Sequence, residues 1–131
     1  MENYVHKVNY YETDKMGVVH HSNYVRWMEE ARIYMMDKMG YSYLKLESIG
    51  IASPVLGYTC DIKHSTYFGD EIEIESKIKE YNGVRLTIQY QMNVNGKLVA
   101  LGETKHCFTN PKGMPIRLNK VCLELDEILK K

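Results

Sequence analysis

The sequence predicts an α+β domain in which an antiparallel sheet wraps one long helix. Three observations carry that expectation. From Asn23 to Met39 apolar residues recur at helical spacing, with Tyr24, Met28, Ala31 and Met35 on one stripe, Trp27 and Tyr34 beside it, and Arg26, Glu30 and Asp37 facing away. Farther along, "DEIEIESKIKEY" and "VRLTIQYQMNV" alternate apolar with polar residues, the period of half-buried strands. Finally, Asn82-Gly83 and Asn95-Gly96 separate these segments from one another and from "KLVALGETKHCF". Asn-Gly supplies the positive φ of two-residue hairpins, so the three strands read as a meander.

Residues 4–11, rich in tyrosine and valine, read as a first strand. Ser22 or Asn23 is expected to cap the long helix, and Gly40 suits its left-handed C-terminal position. Residues 41–50 read as a connection containing a short helix. "VLGYTCDIK" after Pro54 reads as a strand with Tyr58, Cys60 and Ile62 on one face. "NPKGMP" is turn-like, and Leu118, Val121, Cys122, Leu125 and Leu129 give the terminal segment an apolar helical stripe. We find no repeat, linker or low-complexity tract, and a chain of 131 residues suits a single domain spanning 1–131.

Composition narrows the function classes. Hydrophobic residues make up 44% and charged residues 26%, ordinary values for a globular chain. Seventeen basic residues balance seventeen acidic ones, so no global field favours nucleic acid or anionic membrane. No segment has signal-peptide or membrane-spanning character, so no stable membrane insertion is expected. Cys60, Cys107 and Cys122 form neither a disulfide framework nor a zinc ribbon, which points to a reducing cytoplasm.

The chemistry-bearing residues gather just ahead of the long helix, in "NYYETDKMGVVHHSNY". Asp14 sits between a strand and a helix, three residues before Gly17. It suits an Asx-type turn, and equally a carboxylate nucleophile or general base beside the unpaired N–H groups of a helix start. Those N–H groups can polarise a carbonyl oxygen. Gly17 permits a tight turn or the close approach of a ligand. His20 and His21 are adjacent and point apart on a regular backbone, so no metal site is expected. The cysteines fall at apolar-facing positions, and no nucleophile elbow, phosphate loop or dinucleotide fingerprint occurs.

Tyr11-Glu12-Thr13-Asp14, Gly17-Val18-Val19, His21-Ser22-Asn23-Tyr24, and Trp27 with Glu30-Ala31-Arg32 together resemble the signature of hot-dog-fold acyl-CoA thioesterases. The branch resembled contains 4-hydroxybenzoyl-CoA thioesterase and the YbgC-like enzymes. A looser likeness continues through "GIASPVLGYTCDIKHSTYFGDEIEIE". The resemblance implies a hot-dog fold, an acyl-CoA substrate and no cofactor beyond the coenzyme A of that substrate. It implies that Asp14 acts as nucleophile or as base toward water, that the His21 N–H polarises the thioester carbonyl, and that Tyr24 lines the site near the helix start. It further implies a homodimer, or a dimer of dimers, with each site at a subunit interface and residues Pro54, Val55, Leu56 and Gly57 of the partner walling the acyl pocket. Lys63, His64 and Arg85 become candidates for the nucleotide end of coenzyme A. Relatives often carry Asp where this chain has Glu12, an aromatic residue at His20, and Pro-Ala at Ser65-Thr66. His20 would make the pocket mouth more polar. An acyl-carrier-protein substrate and a non-catalytic acyl-CoA-binding module are the alternatives, and thiol release from a substrate panel discriminates them.

Overall fold

The first strand is shorter than its composition predicts. In the computed structural model, which describes residues 2–131, β1 covers only Tyr4–Lys7 and Tyr10–Glu12 closes as a 3₁₀ turn. Asn9 and Glu12 make the turn reciprocally: the Glu12 N–H donates to the Asn9 carbonyl (3.0 Å) and the Glu12 carboxylate accepts the Asn9 N–H (2.8 Å). A capping pair of that kind satisfies backbone groups that a continued strand would have left to a neighbour.

The long helix, α1, spans Ser22–Lys38 and buries the predicted stripe. Neither Ser22 nor Asn23 caps it. Both lie inside the first turn, His21 is the flanking residue, and the Asn23 amide donates back to the carbonyls of Glu12 (2.9 Å) and His20 (3.2 Å). Gly40 ends the helix at φ +94 as expected. A short helix, α2 (Tyr43–Ser48), follows, its first turn capped by the Ser42 hydroxyl on the Lys45 N–H.

Strands β2 (Val55–Ile62), β3 (Glu71–Tyr81), β4 (Arg85–Val94) and β5 (Lys97–Cys107) complete an antiparallel sheet ordered β1-β3-β4-β5-β2. Asn95 and Gly96 have φ +49 and +80, the doubly positive pair of a tight hairpin. Asn82-Gly83 does not make the two-residue turn that was expected. Asn82 Oδ1 accepts the N–H groups of Val84 and Arg85, and only Gly83 has positive φ. The Asn82 N–H reaches the Arg85 carbonyl (3.2 Å), so the tip is Gly83-Val84 instead, and the Gly83 carbonyl receives the Leu118 N–H (2.7 Å) from the C-terminal segment. That segment is two helices, α3 (Leu118–Val121) and α4 (Leu123–Lys130), broken at Cys122. Leu125 and Leu129 anchor α4 in the core, and the buried Asp126 accepts the Tyr81 hydroxyl.

The sheet curls around α1. Tyr24, Trp27 and Met28 are buried with Ile72, Ile74, Ile88, Tyr90 and Met92 of the inner sheet face. Gly102 of β5 permits this approach, because a Cβ there would lie 2.5 Å from Met28 Sδ and 3.0 Å from the Thr59 carbonyl oxygen. Strand β2 forms an outer edge, paired only with β5, and its Val55, Leu56, Tyr58 and Ile62 are all more than 40% exposed. An uncovered apolar edge of this length is what sheets ordinarily protect or pair. No helix among the described residues is long and apolar enough to cross a membrane.

Candidate active site

Residues 12–20 form a small hairpin standing against the head of α1. Its base is the bond from the His20 N–H to the Glu12 carbonyl (2.9 Å). Thr13 and Val19 bridge above it, and the Asp14 N–H donates to the Val18 carbonyl (2.8 Å). Gly17, at φ +82, turns the tip, where an added Cβ would meet open space. The glycine therefore serves the left-handed conformation and leaves the tip uncovered. On the other side the hairpin leans on the β2–β3 connection: Val18 bridges Tyr67 and the Val19 N–H donates to the Thr66 carbonyl (2.9 Å).

Asp14 is half-buried in this hairpin. One carboxylate oxygen, Oδ1, accepts the Met16 N–H (2.8 Å), so the Asx-type turn suggested by the sequence is real. None of the side-chain hydrogen bonds among the described residues uses Oδ2. The turn thus fixes the carboxylate without consuming it.

His21 follows the hairpin base directly. Around it the Ser22 N–H meets His20 Nδ1, the Asn23 N–H meets the His20 carbonyl and the Tyr24 N–H meets the His21 carbonyl. The His21 N–H itself has no partner among the described residues. It stands at the start of a 17-residue helix, where aligned peptide dipoles and orphan donors favour negative charge. The His21 ring is exposed and stacks on that of His20 at 4.2 Å, while His20 Nδ1 bonds the Ser22 hydroxyl (2.9 Å).

Tyr24 lies beneath the site rather than on its surface. It is 1% exposed, and its hydroxyl shares a hydrogen bond with the Thr66 hydroxyl (2.8 Å). Burial pushes its pKa up, outweighing the Thr66 bond, so the phenol stays neutral. Through Thr66, whose carbonyl holds Val19, Tyr24 ties α1 to the hairpin. Pro54, Val55, Leu56 and Gly57 sit at the start of β2. The strand must run its full length before reaching the connection that touches Val18, and at ~3.3 Å per residue that is roughly 23 Å. One chain does not bring these four residues to its own Asp14. Two grooves of about 360 and 370 Å³ also lie elsewhere, one between β1, α1 and β3 around Tyr34 and Met35, the other on the outer sheet face around Arg85 and Lys105. Lys63 is paired with Asp61, and His64 borders a third groove beside Tyr67 and Lys97.

Sequence reasoning noted Glu12 as a departure from its relatives and gave it no role. Its carboxylate is buried and takes four donors: the Asn9 N–H (2.8 Å), His6 Nε2 (2.8 Å), the Trp27 indole N–H (2.7 Å) and, at longer range, the Asn9 side-chain amide (3.4 Å). Burial alone would raise its pKa, but these bonds outweigh it and hold the carboxyl below its ordinary range. The signal was present in Trp27, since an indole on a buried stripe needs an acceptor for its N–H. Also unforeseen were Arg32, buried and over the Tyr43 ring, and His106, fully buried with Nε2 on the Thr104 hydroxyl and Nδ1 unpartnered.

A free carboxylate oxygen can attack a carbonyl carbon or activate water toward it, and an unpartnered helix-head N–H can steady the carbonyl oxygen. Known proteins share the whole frame. The family model described as the thioesterase-like superfamily matches residues 8–124. The chain is 32% identical to YneP of Bacillus subtilis, a candidate acyl-CoA thioesterase, over 87% of this chain and 84% of that one. It is 29% identical to the acyl-CoA thioester hydrolase YbgC of Escherichia coli over 76% of this chain and 73% of the other. The structure of a DHNA-CoA thioesterase from Staphylococcus aureus superposes with a TM-score of 0.96 at 30% identity, over 98% of this chain and 88% of that one.

Proposed function

This chain belongs to the thioesterase-like superfamily, and we propose that it hydrolyses an acyl-CoA thioester to the free acid and coenzyme A. The observation that carries the mechanism is the His21 N–H, unpartnered at the head of α1 next to the Asp14 hairpin. In this reading the thioester carbonyl oxygen accepts that N–H. The Asp14 carboxylate then either attacks the carbonyl carbon, giving a mixed anhydride that water opens, or takes a proton from the attacking water. In both routes the C–S bond breaks and the thiol leaves with one proton. Thiolate is a good leaving group, so one carboxylate and one well-placed donor suffice without a triad. The reaction calls for no cofactor.

We propose further that the working unit is a homodimer made along β2. Antiparallel pairing of two β2 strands would place Val55 of one chain opposite Ile62 of the other. The Pro54–Gly57 segment of each chain would then lie at the far end of the neighbouring β2, where the connection to Thr66 and Val18 begins. That arrangement supports the partner-walled acyl pocket and covers the exposed Val55, Leu56, Tyr58 and Ile62. The free thiols Cys60, Cys107 and Cys122 suit a reducing cytoplasm.

The test is thiol release from a panel of short, long and aromatic acyl-CoAs and an acyl-carrier-protein substrate. Asp14→Asn is expected to lose turnover while retaining binding. Position 21 allows a sharper test, because its φ of −54 lies in the range of proline. His21→Pro removes the N–H and is expected to cost ~10²–10³ in kcat, whereas His21→Ala keeps the donor and most of the rate. Equal slow release by wild type and Asp14→Asn would defeat the catalytic assignment. A stable, fully active monomer would defeat the shared pocket.

A further inference from the structure

We propose that Glu12 is the positioning residue of this site, the anchor that holds both Asp14 and the His21 N–H at their working places. The inference rests on the roles proposed for those two groups and adds a residue that touches neither the carboxylate nor the substrate.

The geometry is that of a clamp with arms in three directions. Toward β1, the Glu12 carboxylate meets His6 Nε2, and His6 Nδ1 lies 3.3 Å from Glu30, which also accepts the Tyr4 hydroxyl. Toward α1, its second oxygen takes the Trp27 N–H from a residue that is fully buried. Toward its own turn it takes the Asn9 N–H. The backbone of the same residue closes the hairpin: its carbonyl receives both the His20 N–H and the Asn23 side-chain amide. Asp14 is two residues beyond one side of that closure, and His21 is one residue beyond the other. The relative placement of nucleophile or base and oxyanion donor is therefore set by a single residue.

The side chain matters because the backbone bonds alone leave the hairpin free to pivot. Four donors converge on two oxygens of one buried carboxylate, a charge-assisted arrangement stronger than neutral hydrogen bonds. An amide in its place presents only one accepting oxygen. Its NH₂ must then face the indole N–H or the Asn9 N–H, donor against donor, and the cluster has to shift. Chemistry depends steeply on such shifts: a misplacement of about 1 Å can cost ~10²-fold.

The experiment compares Glu12→Gln and Trp27→Phe with wild type, Asp14→Asn and Gly102→Ala. Gly102 lies on β5 against Met28, so its variant is a control for lost stability away from the site. Glu12→Gln is expected to lower kcat by ~10–100-fold with KM within roughly threefold of wild type. Trp27→Phe removes the one donor on the second oxygen, Oε2, and its kcat is expected to fall between those of wild type and Glu12→Gln. Amide hydrogen exchange at His20, whose N–H is held by the Glu12 carbonyl, should speed up in both variants and not in Gly102→Ala. If Glu12→Gln loses no more kcat than Gly102→Ala at a matched fall in Tm, the anchor role is refuted. Should Glu12→Gln fail to fold, Trp27→Phe decides alone: wild-type kcat and wild-type His20 exchange would overturn the proposal. An active Asp14→Asn refutes the underlying site instead, whereas an inactive Asp14→Asn beside an unimpaired Glu12→Gln refutes only the anchor.

Discussion

His106 should make this fold measurably sensitive to mild acid. The imidazole is fully buried on β5, where His106 pairs with Leu86 of β4 and with Val55 at the start of β2, and the Thr104 hydroxyl links it to Tyr90. Burial is the largest influence on its pKa, the Arg32 charge adds to it, and the nearby Ser53 and Pro54 backbone, which makes no full hydrogen bond to Nδ1, opposes both more weakly. The result is a folded-state pKa pushed down to about 4 from an ordinary 6.5. Because the folded pKa is depressed, the unfolded chain binds the proton more readily at every pH between those values. The stabilisation is complete above 6.5, falls as pH drops and is exhausted near 4. The difference of the two pKa values from 6.5 to about 4 converts to ~3 kcal/mol across that window. Urea unfolding at half-unit steps from pH 7.5 to 4.5 measures it. His106→Gln can still bond Thr104 but cannot titrate, so its stability should decline less, diverging from wild type by up to ~1.4 kcal/mol per pH unit. Parallel curves for the two proteins across pH 5 to 6.5 would show that the buried imidazole is not what couples protons to folding.

Two further substitutions probe the frame. Gly102→Ala forces a Cβ toward Met28 Sδ and the Thr59 carbonyl; the thioether can turn aside but the backbone oxygen cannot, so we expect a loss of ~1–3 kcal/mol, read from the urea midpoint. Asp126→Ala strips the acceptor from the Tyr81 hydroxyl and from Lys130, loosening α4 at a cost of ~1–3 kcal/mol, which thermal unfolding and protease sensitivity of the C-terminus would register.

Periodicity made the skeleton legible. The stripe on α1 and the alternation of β3 and β4 are properties of single segments, and a segment carries them whatever surrounds it. Boundaries set by distant partners were not legible. Residues 8–11 have strand composition, yet the Asn9–Glu12 pair turns them away. Asn82-Gly83 has hairpin composition, yet the tip shifts to Gly83-Val84, where the Gly83 carbonyl takes the Leu118 N–H from far along the chain. At the site, the resemblance picked out Asp14 and His21; the structure puts Asp14 on the hairpin and His21 at the head of α1. The role of Glu12 depends on His6 and Trp27 meeting it in space, which spacing in sequence does not reveal. Tyr24 shows the opposite case: periodicity put it on the buried stripe and the resemblance put it at the site, and the structure buries it, with its hydroxyl on Thr66.

The unpartnered donor at position 21 belongs to the peptide backbone, and that has a consequence for how such proteins diverge. A peptide N–H is encoded by every codon except those for proline. Drift at position 21 can therefore exchange ring for aliphatic or hydroxyl without touching this half of the chemistry, and conventional alanine scanning would pass over it in silence. Under the proposed mechanism, selection on the acyl group can change the side chains at His20 and His21 while the proposed oxyanion donor is inherited unchanged.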